Sequence, residues 1–149
     1  MSEPLQDRVT QALEELEATG MIDEMNECSR WQSAMILTMK RGGKSLRVCL
    51  DLRTLNRAVL RETHSLATMG QMVARSKDSG MFSLLNVEQT FHQRRIQESS
   101  RQITTFSTHY GLYRYRRLVF GLSSSAAVLQ RTMDVMLEGV QRRMNTISG

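Results

Sequence analysis

The chain has 149 residues, of which 40% are hydrophobic and 23% charged, enough apolar material for one domain with a buried core and too much for a disordered polyelectrolyte. No apolar run approaches the roughly 20 residues that cross a bilayer, so no membrane association is expected. The formal net charge of +5 is unevenly placed. Residues 1–27 hold one base, Arg8, against eight acids, whereas residues 28–149 hold nineteen bases against seven acids, nearly all the bases being arginine. A basic body of this kind suits either a polyanionic partner or a plain solvated face. Cys28 and Cys49 are too few for a disulfide framework and read as buried small residues or free thiols. His64, His92 and His109 are too scattered for a zinc site. Met1-Ser2-Glu3-Pro4 carries no secretory signal, so an intracellular location, cytoplasm or nucleus, is expected.

Leu5, Val9, Ala12, Leu13 and Leu16 recur at three- and four-residue spacing, which predicts an amphipathic helix over 5–19 that Gly20 ends. Residues 23–33 are polar and read as irregular. Ala34–Met39, the turn at Arg41-Gly42-Gly43 and the alternating Ser45–Asp51 form a hairpin pattern, with Leu46, Val48 and Leu50 facing inward. Residues 52–64 read as a loop or short irregular helix. Residues 68–78 predict a helix with Met69, Met72, Val73 and Ala74 on its apolar side, and Met81–Leu85 predicts a short buried strand. Gln102–Thr108 and Leu112–Phe120 flank Tyr110-Gly111 as a second hairpin, its second strand setting Tyr113 and Tyr115 on one face and Arg114 and Arg116 on the other. Ser123, Ser124 and Ser125 can cap a final helix from about Ala126 to Arg142. Helices and hairpins in this order give an α+β fold.

Several segments, in order, resemble the reverse transcriptase of gypsy-class retrotransposons. They are Ser29-Arg30-Trp31-Gln32-Ser33-Ala34, the stretch Leu46–Asn56 with its Arg47, Asp51, Arg53, Leu55 and Asn56, and Phe82-Ser83-Leu84-Leu85-Asn86 followed by Phe91-His92-Gln93. Thr104-Thr105-Phe106, Tyr110–Tyr113, Phe120-Gly121-Leu122 and Gln130-Arg131-x-Met133 continue the series. The resemblance covers roughly residues 9–140. It implies one truncated domain: an acidic N-terminal helix and linker at about 1–27, fingers at 28–80, a partial palm at 81–142 and a polar tail at 143–149. An antiparallel sheet with packed helices is expected, with the final palm hairpin missing.

Polymerases of this family use two magnesium ions, whose hard charge calls for carboxylate oxygens. The resemblance places the first metal-binding aspartate at Asn86, a neutral amide, and no two aspartates are adjacent anywhere in the chain. Asp134 and Glu138 read as surface charges on a helix. No catalytic residue set is therefore intact, no cofactor is expected, and primer extension is expected to be absent. The resemblance implies nucleotide contacts for Arg47, Lys40 and Phe91. Read by themselves, Arg47 and Lys40 are ordinary hairpin charges and Phe91 a core residue. Pro4 is the only proline, so Ala34, Ser65, Ala67, Val119 and Ala127 stand where the family has prolines, which should loosen the turns. Arg94, Arg95, Arg101, Arg114, Arg116 and Arg117 are expected to bind RNA or DNA without reading sequence. Two other readings stand beside this one: a protein-interaction fragment using an open palm edge, and a relic without a selected role.

Overall fold

The computed structural model describes residues 3–39, 46–60, 68–78, 80, 81, 83 and 85–140. Its first element, helix α1 (Glu3–Ala18), turns Val9 and Leu13 fully inward and Leu5 and Leu16 partly so, as the spacing requires. The helix stops in a Schellman arrangement. Gly20 takes a left-handed φ of +66°, its N–H bonds Glu17 O, and Met21 N–H reaches back to Leu16 O at 2.8 Å.

Released from the helix, the chain enters strand β1 (Ile22–Met25), in a stretch whose polarity predicts no strand. Its partner lies far along the sequence: Ile22 pairs with Tyr115 and Met25 with Leu112 of β5 (Leu112–Tyr115). The predicted first hairpin is present as β2 (Ser33–Met39) and β3 (Leu46–Leu50), with Met35 opposite Leu50 and Met39 opposite Leu46. Its turn, including Lys40, lies outside the described residues. A two-residue strand β4 (Phe106–Ser107) joins β2 in parallel and β5 antiparallel, completing one five-stranded sheet of order β1-β5-β4-β2-β3. Helix α1, together with Leu52 and Leu55 at α2 (Arg53–Ala58), contributes to one core with Leu46, Phe106, Tyr115, Leu118, Val119 and Leu122. This is a mixed α+β fold.

Several expectations are corrected. The first part of the stretch 102–108 is not extended, because Glu98–Thr104 winds into a 3-10 helix closed by threonine hydroxyls, so the second hairpin is present only as the short pairing of β4 with β5. Thr104 Oγ1 donates to Arg101 O at 2.7 Å and accepts from Tyr115 N–H at 3.0 Å, while Thr105 Oγ1 donates to Gln102 O at 2.7 Å. The second strand of that hairpin ends at Tyr115 rather than Phe120, because after a last bond beside β1, Arg116 N–H to Met21 O, the chain changes neighbours and Leu118 N–H bonds Arg94 O. Positions 81, 83, 85 and 86 are not strand and pair with no described segment, so Met81 and Leu85 stand exposed instead of buried. On helix α3 (Met69–Ser76), which a Thr68–Gln71 capping box begins, Met72 is half-buried but Val73 and Ala74 are exposed.

Helix α4 (Ser125–Met136) is shorter than expected; Gly139 follows it at φ +88°. Its N-cap Ser124 makes no side-chain cap, and Ser125 is instead buried, its hydroxyl donating to Val119 O at 2.8 Å. Asp134 is half-buried and accepts from the Gln130 amide at 3.3 Å. Both thiols are free, Cys28 exposed and Cys49 half-buried. No helix among the described residues is long and apolar enough to cross a membrane.

Candidate nucleic-acid interface

Between the β2–β3 hairpin and the segment that follows α3 lies a cleft of about 520 Å³. Strand β3 supplies Arg47, and the end of α1 supplies Leu16 and Thr19. The opposite wall is a 3-10 turn, Thr90–Gln93, with Tyr115, Val119 and Phe120. That turn is entered through Gln89 at φ 47°, ψ 42°, a left-handed conformation that side chains other than glycine seldom adopt. Local bonds hold it: Thr90 Oγ1 donates to Val87 O at 2.6 Å, and Gln93 Nε2 donates to Glu88 O at 3.1 Å. The result aims Phe91 into the cleft, edge-on to Phe120 with ring centroids 5.6 Å apart.

His92, beside Phe91, stacks on the buried Tyr115 at 6.2 Å. Burial lowers its pKa from the ordinary 6.5, and the positive charges of Arg117 and Arg47 lower it further. Burial also pushes the Tyr115 phenol up to about 12, with Cys49 adding to the shift. Of the residues predicted for nucleotide contact, Arg47 and Phe91 share this cleft, and Lys40 lies outside the described residues. His92, from the Phe91-His92-Gln93 motif, and Tyr115, from the face shared with Tyr113, also line it without a role expected for either, and Gln89 and Thr90 line it without any signal in the sequence.

The six predicted arginines divide. Arg95, Arg101, Arg116 and Arg117 line a second cavity of about 180 Å³ with Gly20. Arg114 points to β1 instead, with Nε 3.8 Å from Asp23 Oδ2, and Arg116 shares that carboxylate at 3.5 Å. Arg94 is exposed and lines neither cavity.

Two motif segments meet at one side chain. Asn56 on α2 donates from Nδ2 to Gly121 O at 2.9 Å and accepts from Ser123 N–H at 2.8 Å. Gly121 sits at φ +89°, so the Phe120-Gly121-Leu122 turn needs its glycine and is clamped by the asparagine. Asp51 accepts from Arg53 Nε at 2.9 Å, and that hydrogen bond holds its carboxyl down at about 2.

Residues 39–148 match the sequence model of the family described as reverse transcriptase (RNA-dependent DNA polymerase). The chain belongs to the reverse transcriptase family. It is similar to the retrovirus-related Pol polyprotein from transposon 412 of Drosophila melanogaster, 31% identical over 118 residues, which span 76% of this chain and 10% of that protein. To the Pol polyprotein from transposon gypsy of the same organism it is 28% identical over 96 residues, 64% of this chain and 9% of that one. Among solved structures, the foamy viral protease-reverse transcriptase in complex with double-stranded DNA shares the reverse transcriptase fold at a TM-score of 0.74 and 17% identity. That match covers 99% of this chain and 25% of the viral one. The chain thus spans about a tenth of the length of the polyproteins it matches.

A magnesium-dependent reverse transcriptase needs clustered carboxylates, and the donor set here does not fit. Asn86 is an exposed neutral amide, and among the described residues no group of three or more His, Cys, Asp or Glu side chains stands where a metal ion could be held.

Proposed function

We propose that this chain is a gypsy-class, retrotransposon-derived reverse transcriptase fragment that binds nucleic acid at the cleft that holds Arg47 and does not polymerise DNA. The observation that carries the reading is the meeting of Arg47 and Phe91 in one cleft. On this reading 28–80 are fingers and 81–142 palm. Arg47 offers a planar fork of donors to phosphate oxygens, and Phe91 offers an apolar face to the sugar. Lys40 would add a second cation from the hairpin turn. Its place of work is intracellular, in cytoplasm or nucleus, where RNA and DNA are met. The loss of polymerisation rests on Asn86, whose amide brings no charge to balance a divalent ion.

The test combines a primer-extension assay with a salt titration of binding to a primer–template duplex. No extended product is expected, and the logarithm of affinity should fall linearly with the logarithm of salt concentration. Arg47→Ala should weaken binding severalfold. Extension by the wild-type chain, or binding indifferent to salt, would sink the proposal.

A second reading is favoured by one observation: Met81 and Leu85 are 92% and 78% exposed beside Asn86, an apolar stretch without a described neighbour. Such a segment suits addition to another protein's strand, in the manner of an open sheet edge.

A further inference from the structure

Arg95 and Arg117 lie directly opposite each other in an isolated antiparallel bridge. The flanking bonds, Ile96 N–H to Arg116 O and Leu118 N–H to Arg94 O, both 2.8 Å, make this a non-hydrogen-bonded pair. That is the pair type whose side chains come closest, and like charges placed so oppose folding. Two more guanidinium groups join them. Arg101 is anchored by its Nε donating to Ile96 O at 3.2 Å, and Arg116 reaches Asp23 at 3.5 Å. Asp23 is the one carboxylate among the described residues within ion-pair distance of any of the four. Four cations therefore border one cavity of about 180 Å³ against a single acid. At roughly 30 Å³ per water, that volume holds about six waters, room for the five heavy atoms of a phosphate.

We propose that Arg95, Arg101, Arg116 and Arg117 form a receptor for one phosphate group, distinct from the cleft. A doubly charged oxyanion between Arg95 and Arg117 turns their mutual repulsion into two charge-assisted bonds, while Arg101 and Arg116 close the remaining sides. This refines the nucleic-acid reading and rests on it only for where the phosphate comes from. A plain structural role competes, since the pocket adjoins the C-terminal end of α1, where cations offset the helix dipole. Under that role an added anion gains nothing.

The test is urea unfolding of the full chain, followed by Trp31 fluorescence, in sodium phosphate and in sodium chloride at equal ionic strength. Phosphate should raise the midpoint of the wild type. R117Q should raise the midpoint in chloride, by relieving the repulsion, and lose the phosphate-specific increment, its apparent affinity for phosphate falling at least tenfold. R95Q should behave alike. Equal phosphate increments in wild type and both variants, or none in the wild type, overturn the proposal. The source is then read by competition of free phosphate against an oligonucleotide with a 5′-phosphate and the same strand with a 5′-hydroxyl. Displacement of the first alone identifies a terminal phosphate, and displacement of both identifies the backbone. Phosphate stabilisation without displacement of either identifies a small phosphorylated ligand. A chain that binds neither strand but keeps the phosphate increment refutes the cleft reading and leaves this one standing.

Discussion

His92 couples protonation to folding. Its folded pKa lies below 6.5, through burial first and then the charges of Arg117 and Arg47, whereas in the unfolded chain it regains the ordinary value. Between those two values the unfolded chain binds a proton that the folded chain refuses. Stability contributed by the neutral ring is thus fully present above about 6.5 and is lost as pH falls toward the lowered value. The urea midpoint should be lower at pH 5.5 than at pH 7.5, and His92→Gln should remove most of that difference. A variant that loses stability as steeply as the wild type would assign the effect to other groups. Asp51 contributes at a separate, lower range, because Arg53 keeps its carboxylate charged down to about 2.

Between elements, Asn56 is the joint. Its amide bonds α2 to the Gly121–Ser123 turn at both ends, and Asn56→Ala removes both bonds. A loss of about 1–3 kcal/mol is expected in urea unfolding. Asn56→Asp should recover little, since a carboxylate oxygen would then face Gly121 O; full stability in that variant would contradict the clamp. The resemblance pointed to Asn56 and to the Phe-Gly-Leu turn separately, but not to their contact, which joins residues 65 apart. The elements that could be read from sequence were those whose signal is local: α1 from its apolar spacing, β3 from Leu46, Val48 and Leu50, α3 from its amphipathic pattern and the start of α4. Strand β1 could not, because Ile22-Asp23-Glu24-Met25 is a strand only by virtue of Leu112–Tyr115. Residues 102–104, expected in a strand, are 3-10 instead, because Thr104 and Thr105 bond backward to carbonyls and override their preference for extended structure. The site divides likewise. Arg47 and Phe91 were named through the resemblance, while the opposition of Arg95 and Arg117 depends on a register that their positions in the sequence do not reveal.

For the molecule as a whole, the acidic N-terminal stretch does not stand apart from the basic body. Strand β1 lays Asp23 beside Arg114 and Arg116, so part of the positive charge is met from within. Asp23→Asn should raise affinity for a primer–template duplex severalfold and steepen its salt dependence by about one unit of slope; unchanged binding would mean these two arginines face no phosphate. The same interleaving sets a timetable for synthesis. Thr10 of α1 meets the Tyr110 hydroxyl across 100 residues of chain. At 5–20 residues per second, the first helix and strand leave the ribosome roughly 5–20 s before the strand that receives them. Through much of that interval α1 has only the β2–β3 hairpin to pack against, and the sheet closes only when residues 106–115 arrive from the ribosome to stand between its two halves.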